Sequence, residues 1–295
     1  MSEEDVLVDL IAGWASGAVS VTLTQPIDTV LTRIQANAHH HSYANNIISQ
    51  TKGVNKLGTL HSTKSFIHKA GMPSLWRGCS AMIGAIPFQN ALLMAGYGYG
   101  KRWCEVYNPD NILLGVFVGG CTGGMIQSFL MSPVELIKVN QQVAGRSLTS
   151  ATTIVASGIF SKHIAWRGLG ATLLRDGIPH GVWFASYELM KQSMENSDNF
   201  DKQKDSSMIS LFSGAFAAFT AWGVGYPFDI IKTRIQSPGG EHKSIISATK
   251  EIIHESNGRI ISGLYRGFTL KLAKAVPSSA INFFVYEKVV KSLTS

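Results

Sequence analysis

Apolar residues gather along the chain into six long segments, approximately 6–36, 80–103, 111–142, 169–192, 207–237 and 268–290. Each is long enough to cross about 30 Å of hydrocarbon as a helix. Each is broken by Pro or Gly, which membrane helices tolerate when neighbouring helices satisfy the freed backbone groups. Six spans return the chain to its starting side, so both termini are expected on one side. The connections within each pair carry short amphipathic runs near 62–70, 150–160 and 244–256, which suit the plane of a membrane interface. The first connection is the longest, and its extra length, "NAHHHSYANNIISQTKGVNK", is polar.

The segments repeat. Residues 25–35 read "QPIDTVLTRIQ", 132–142 read "SPVELIKVNQQ" and 226–236 read "YPFDIIKTRIQ". The template is Pro-x-(Asp/Glu), a basic residue three further on, and Gln nine after the Pro. Its prolines, Pro26, Pro133 and Pro227, are spaced 107 and 94 residues apart. A second element, "LWRG" at 75–78, "AWRG" at 165–168 and "LYRG" at 264–267, follows each time and opens an apolar segment with its own proline, Pro87, Pro179 or Pro277. The chain therefore divides into repeats over 1–106, 107–200 and 201–295, with a polar loop at about 37–61 in the first.

Composition agrees with a membrane protein without requiring one. Only 15% of residues are charged, against about 25% in an ordinary soluble domain. The 29 glycines suit helices that pack through small residues, and GxxxG spacing recurs at Gly13 and Gly17 and at Gly115, Gly119 and Gly123. The formal charge of +7 is scattered at the edges of apolar runs rather than gathered into a stripe. That fits membrane-flanking positions and not a nucleic-acid partner. Cys79, Cys104 and Cys121 form no CxxC pair, and His39–His41 falls in the polar loop, so no metal site is expected. The start, "MSEEDVLVDL", is acidic, unlike a secretory signal or a transit peptide, so any organelle address is expected to be internal.

The threefold Pro-x-(Asp/Glu)-x-x-(Lys/Arg) motif, its trailing Gln and the (Trp/Tyr)-Arg-Gly element resemble the mitochondrial carrier family over essentially the whole chain. The resemblance implies an all-α membrane fold: six transmembrane helices in three pseudo-threefold repeats, with short matrix-side interfacial helices. It also implies a location in the mitochondrial inner membrane, with termini toward the intermembrane space, and a monomer in the lipid bilayer with cardiolipin at the matrix side. Its partner is a small-molecule substrate, with no cofactor and no enzyme chemistry, moved by alternating access between two gates.

By the same resemblance, Pro26, Pro133 and Pro227 kink the odd-numbered helices, and a ring of acids and bases closes the matrix gate. Asp28 is expected to pair with Lys138 and Glu135 with Lys232. The base for Asp229 should stand at 31, but that residue is Leu31. Asp229 is therefore expected to be free or protonated unless a Lys or Arg elsewhere supplies the charge. Gln35, Gln142 and Gln236 stand at the brace positions. For the cytosolic gate, Glu188 with Lys191 keeps the family pattern. Glu287 meets Val290 at the basic position, and the first repeat has Gly98 in place of an acid, followed by Lys101. The competing reading makes these charges caps of helix ends at the interface.

Arg175 and Asp176 interrupt the apolar segment "LLRDGIPHGVWFASYE". They lie about 18 Å from its "YE" end at 1.5 Å per residue, near mid-membrane. The positions at that level in the sixth and second segments are Lys274 with Ala275, and Gly84 with Ala85. The level is expected to bind a zwitterion: carboxylate to Arg175 and Lys274, ammonium to Asp176, with room at Gly84 and Ala85. A guanidinium holds a carboxylate bidentately. His180 and Trp183 share the helix face of Asp176, where His180 can tune proton coupling and Trp183 can face a cationic nitrogen. Asn90 and Gln89 on the second segment and Asn282 on the sixth add polar contacts. The set resembles carriers of amino acids and carnitine. The alternatives are a carrier of a nucleotide, cofactor or carboxylate, a degenerate carrier acting as a membrane adaptor, and an Arg175–Asp176 pair that only holds helices together.

Overall fold

The computed structural model describes residues 3–36, 71–158, 166, 168–197, 206–237 and 244–293. Among them the chain is all α, with no strand. Helices α1 (Glu3–Ala36), α2 (Cys79–Tyr107), α3 (Ile112–Val143), α5 (Leu169–Glu195), α6 (Ser206–Gln236) and α9 (Phe268–Leu293) are long. A 3-10 turn at Met72–Trp76 and the shorter helices α4 (Leu148–Ser157), α7 (Ile245–Glu255) and α8 (Ile260–Leu264) lie between them. Each repeat contributes two long helices. By length and composition, the spans Met72–Tyr107, Ile112–Val143 and Met208–Gln236 can cross a membrane. The other three are more polar along their middles: Ser16, Ser20, Thr24 and Gln25 in α1, Arg175 and Asp176 in α5, Lys271 and Lys274 in α9.

The expected interfacial runs at 150–160 and 244–256 are α4 and α7. Ser147 opens α4, its hydroxyl accepting from Ser150 N, and Ser244 opens α7 through a capping box with Ser247. These caps place the starts, because a serine oxygen replaces a missing intrahelical acceptor. The expected run at 62–70, the 37–61 loop and His39–His41 lie outside the described residues.

The long helices run through their prolines, and a physical reason is visible. A proline lacks the N–H that would bond the carbonyl four residues back. Pro26 frees the carbonyl of Thr22, and Trp76 Nε1 donates to it at 2.8 Å. Pro87 frees that of Ile83, and Trp14 Nε1 donates to it at 3.1 Å. The repeated (Trp/Tyr)-Arg-Gly element thus carries a capping indole in the first repeat. Its glycine turns the chain: Gly78, Gly168 and Gly267 have φ of 83°, 79° and 87°, a left-handed conformation that favours glycine.

The chain divides into two compact units. The first holds Met1–Pro87, Ser132–Gly168 and Ile230–Ser295. There α1 packs along α9, with Ser20 Oγ bonded to the Ser278 carbonyl at 3.0 Å. Gln25 and Thr29 tie α1 to the Arg77 and Leu75 carbonyls at 2.9 and 2.6 Å. Val155 of α4 is buried on Leu136, beside Ile137 and Trp166.

The second unit holds Phe88–Met131 and Leu169–Asp229. Small residues bring its helices together. A Cβ on Gly96 would lie 2.7 Å from the Gly123 Cα, and one on Gly120 would lie 2.7 Å from the His180 carbonyl. A Cβ on Gly225 would lie 2.7 Å from Pro179 Cγ, so α2, α3 and α5 approach backbone to backbone while α6 seats against the Pro179 ring. The expectation of close packing at Gly13 is corrected: nothing lies within 4 Å of a Cβ there, whereas Gly17 meets Ile86 at 3.1 Å.

Candidate functional site

In the second unit, α5 carries Arg175 and Asp176 at mid-helix against the glycine face of α3. A side chain at Gly124 would collide with the Asp176 carbonyl, so glycine there lets the acid come flush with α3. Asp176 is 1% exposed. Its Oδ1 accepts from Arg175 NH1, and its Oδ2 accepts from Ser128 Oγ at 3.1 Å. Its carbonyl lies 2.6 Å from His180 Nδ1. A carbonyl only accepts, so Nδ1 carries the hydrogen, and Nε2 then accepts from Gln127 Nε2 at 3.3 Å. Gln127 Oε1 is buried without a hydrogen-bond partner.

Arg175 also reaches α6, where its Nε donates to Asp229 Oδ1 at 3.2 Å. Of the two outcomes left open for Asp229, this is the one in which an Arg elsewhere supplies the charge. A cation outside the repeat template supplies the charge that Leu31 cannot. Two turns further along α5, the ring of Trp183 stacks on Tyr187 at 5.6 Å and meets Phe184 edge-on at 5.0 Å. Tyr97 packs on Phe184 at 4.6 Å. The chemistry on offer is a guanidinium between two carboxylates.

In the first unit, Asp28 of α1 is bonded by two ammonium groups, Lys138 Nζ at 2.7 Å and Lys274 Nζ. Lys232 is paired with Glu135. The structure therefore brings together both expected acid–base partners. It gives Lys274 a different one from that expected: a carboxylate has two oxygens, and Asp28 offers one to each lysine. The Gln positions brace the residues next to the acids and bases: Gln142 Nε2 donates to Thr29 Oγ1 at 3.0 Å, and Gln35 Oε1 accepts from Thr233 Oγ1 at 3.2 Å. Gln236 is buried at 1% exposure. Gly84 is exposed with open space around it, Ala85 is buried, and Ala275 is half-buried.

Among the described residues, Lys101, Glu188 and Lys191 are not joined to one another. Lys101 Nζ lies 3.8 Å from Glu105, Lys191 Nζ lies 3.9 Å from Glu195, and Glu188 accepts from Gln192 Nε2 at 2.7 Å. All are contacts four residues apart on one helix, where neighbouring turns bring side chains together most readily. The side chain of Glu287 lies outside the described residues. Asn90 on α2 and Asn282 on α9 are exposed, and Gln89 is half-buried.

Three contributors were not expected. Gln127 and Ser128 support His180 and Asp176. Their signal was available: Gly120, Gly124 and Gln127–Ser128 follow one helix face at i, i+4, i+7 and i+8, a polar patch in an apolar run. Arg234, 2% exposed, forks onto Glu255 at 2.7 and 2.9 Å and lies 3.5 Å from Glu251, tying α6 to α7. It lines a small cleft with Gln35, Ser256 and Arg266. Arg266, outside the long helices, is lowered by burial, raised by Glu255 and lowered by Arg234.

The sequence profile of the family described as mitochondrial carrier protein matches residues 2–108, 111–198 and 203–295. The chain is 30% identical over 307 positions to mitochondrial substrate carrier family protein S of Dictyostelium discoideum, covering 99% of this chain and 100% of that protein. It is 27% identical over 296 positions to mitochondrial ornithine transporter 1 of Saccharomyces cerevisiae, covering 96% and 95%. A mitochondrial arginine transporter of Arabidopsis thaliana is 27% identical over 293 positions, covering 97% and 91%.

Proposed function

The chain belongs to the mitochondrial carrier family, whose members are transporters of the inner mitochondrial membrane, and from that premise we propose that it moves a small zwitterion, an amino acid or a carnitine-like solute, by alternating access. The observation that carries the reading is the mid-helix pair of half-buried Arg175 and buried Asp176, joined by Asp229. Ionisable groups at membrane depth are costly and mark substrate pathways. Arg175 is the carboxylate site. Asp176 and Asp229 are anions for the ammonium, with Trp183 two turns further along α5. Lys274, which the sequence assigned to the carboxylate, is engaged by Asp28, so the substrate reading rests on Arg175 and its two aspartates. Two relatives, named as an ornithine and an arginine transporter, favour the same class.

In this reading the pairs Asp28–Lys138 and Glu135–Lys232 form the matrix gate. Lys101, Glu188, Lys191 and Glu287 belong to the cytosolic gate. The test is uptake into liposomes of labelled basic and neutral amino acids, carnitine, ADP and citrate, by the wild type and by Asp176→Asn. Uptake of a zwitterion, lost in Asp176→Asn, is the expected result. Uptake of only ADP or citrate, or zwitterion uptake indifferent to Asp176→Asn, sinks the zwitterion reading and leaves the carrier. A chain that moves nothing, with Leu31 and Gly98 where charges are usual, is instead an adaptor.

A further inference from the structure

Two of the three template acids are bonded to template bases, Asp28 to Lys138 and Glu135 to Lys232. For the third, Asp229, the template's basic position is Leu31, a hydrocarbon. Asp229 is bonded instead by Arg175, a residue of the substrate site, 54 positions away in sequence. This places one guanidinium in two systems at once.

The consequence follows from the shape of the guanidinium. It binds a carboxylate bidentately along one of two edges, Nε with one terminal nitrogen, or the two terminal nitrogens together. Asp229 holds Nε and Asp176 holds NH1. Each edge therefore already carries an aspartate oxygen, and an incoming carboxylate must displace an aspartate to gain both bonds. Asp176 is the fixed one: it is adjacent to Arg175 on the same helix, 1% exposed, and held by Ser128. Asp229 stands on α6, and its side chain is 10% exposed.

We propose that Asp229 is a positioning residue that the substrate's carboxylate displaces from Arg175, so that loading the site and releasing α6 from α5 are one event. A solute without a carboxylate can settle on the aspartates but leaves the Arg175–Asp229 bond intact. The same bond thus selects amino acids over the corresponding amines. This deepens, and rests on, the zwitterion reading above.

The experiment uses the purified full chain and three probe pairs that differ by a carboxylate: arginine and agmatine, ornithine and 1,4-diaminobutane, alanine and ethylamine. Binding is read from ligand-dependent unfolding temperature, and transport from KM and maximal rate in liposomes. In Asp229→Asn the internal competitor is gone. The Kd for the preferred amino acid is expected to fall on the order of tenfold, about 1.4 kcal/mol, while that of its amine does not fall. KM falls with it and the maximal rate does not rise, since binding no longer drives release. Asp229→Glu keeps the wild-type order. If Asp229→Asn does not fold, hydrogen exchange of the wild type decides: the amino acid, and not its amine, speeds exchange across residues 224–232. An unchanged or raised amino-acid Kd in Asp229→Asn, with binding lost in Arg175→Gln, overturns the displacement and spares the substrate site. Equal exchange with both members of a pair does the same. If no carboxylate-bearing probe binds the wild type, both readings fall.

Discussion

Replacing Trp76 by Phe keeps an aromatic ring and removes one donor, the Nε1–H that bonds the Thr22 carbonyl at 2.8 Å. That carbonyl is free because residue 26 is proline. Leaving it unsatisfied costs about 1–3 kcal/mol, toward the upper end within a bilayer, where no water replaces the lost donor. In a Pro26→Ala background the alanine N–H returns to Thr22, so Trp76→Phe should then cost well under about 1 kcal/mol. The expected coupling is on the order of 1–2 kcal/mol, within the range for groups sharing one hydrogen-bond system. The assay is the apparent unfolding temperature of the four purified variants. A chain of this size loses about 2–4 °C per kcal/mol, so Trp76→Phe alone should fall by several degrees and nearly recover with Pro26→Ala. Trp14→Phe, which removes the donor to Ile83 at 3.1 Å, should couple to Pro87→Ala and not to Pro26→Ala. An equal drop for Trp76→Phe in both backgrounds, or coupling of Trp14 to the wrong proline, refutes the pairing of indoles with proline-freed carbonyls.

Asp28→Asn strands two lysines and should lower the unfolding temperature more than Lys274→Gln, which leaves the Lys138 pair at 2.7 Å. Breaking such a buried pair costs about 3–5 kcal/mol, and Asp28→Asn/Lys274→Gln should recover part of the loss. Gly124→Ala drives a methyl into the Asp176 backbone and should destabilise by about 1–3 kcal/mol. Gly13→Ala, with nothing within 4 Å, should be neutral or stabilising by up to about 1 kcal/mol. Both are read by thermal unfolding, and equal effects at the two glycines would refute the packing argument. Ser128→Ala removes the 3.1 Å bond to Asp176 and should cost about 1–3 kcal/mol as a hydrogen bond to a charged group. Zwitterion uptake should weaken with it.

The helices were legible because they answer to composition over tens of residues, and the repeats because three copies of one template constrain each other. Pairs written into that template, such as Asp28 with Lys138, could be named from the family resemblance that the template carries. What a template cannot supply is the partner of a residue that has departed from it. Leu31 showed that a base was missing; nothing in the local pattern said that Arg175 would take its place. The partners of freed carbonyls were hidden for a related reason. Pro26 announces a missing donor, but the indole that replaces it is 50 residues later, and its selection is a matter of three-dimensional packing.

The contrast between Lys274 and Arg175 carries the same argument into function. Counting along the helices put both at one level and gave both to a substrate carboxylate. The structure hands each to an acid of the repeat template, Lys274 to Asp28 and Arg175 to Asp229. Asp28 also keeps Lys138, so the loss of Lys274 to a substrate would leave it paired. For Asp229 the template offers no such reserve, since Leu31 carries no charge. A carboxylate arriving at Arg175 therefore perturbs its ion pair in a way that one arriving at Lys274 does not. That asymmetry gives Arg175→Gln and Lys274→Gln different signatures. The first should abolish zwitterion binding, and the second should leave binding in place while lowering stability. Equal loss of binding in both variants would return Lys274 to the substrate site.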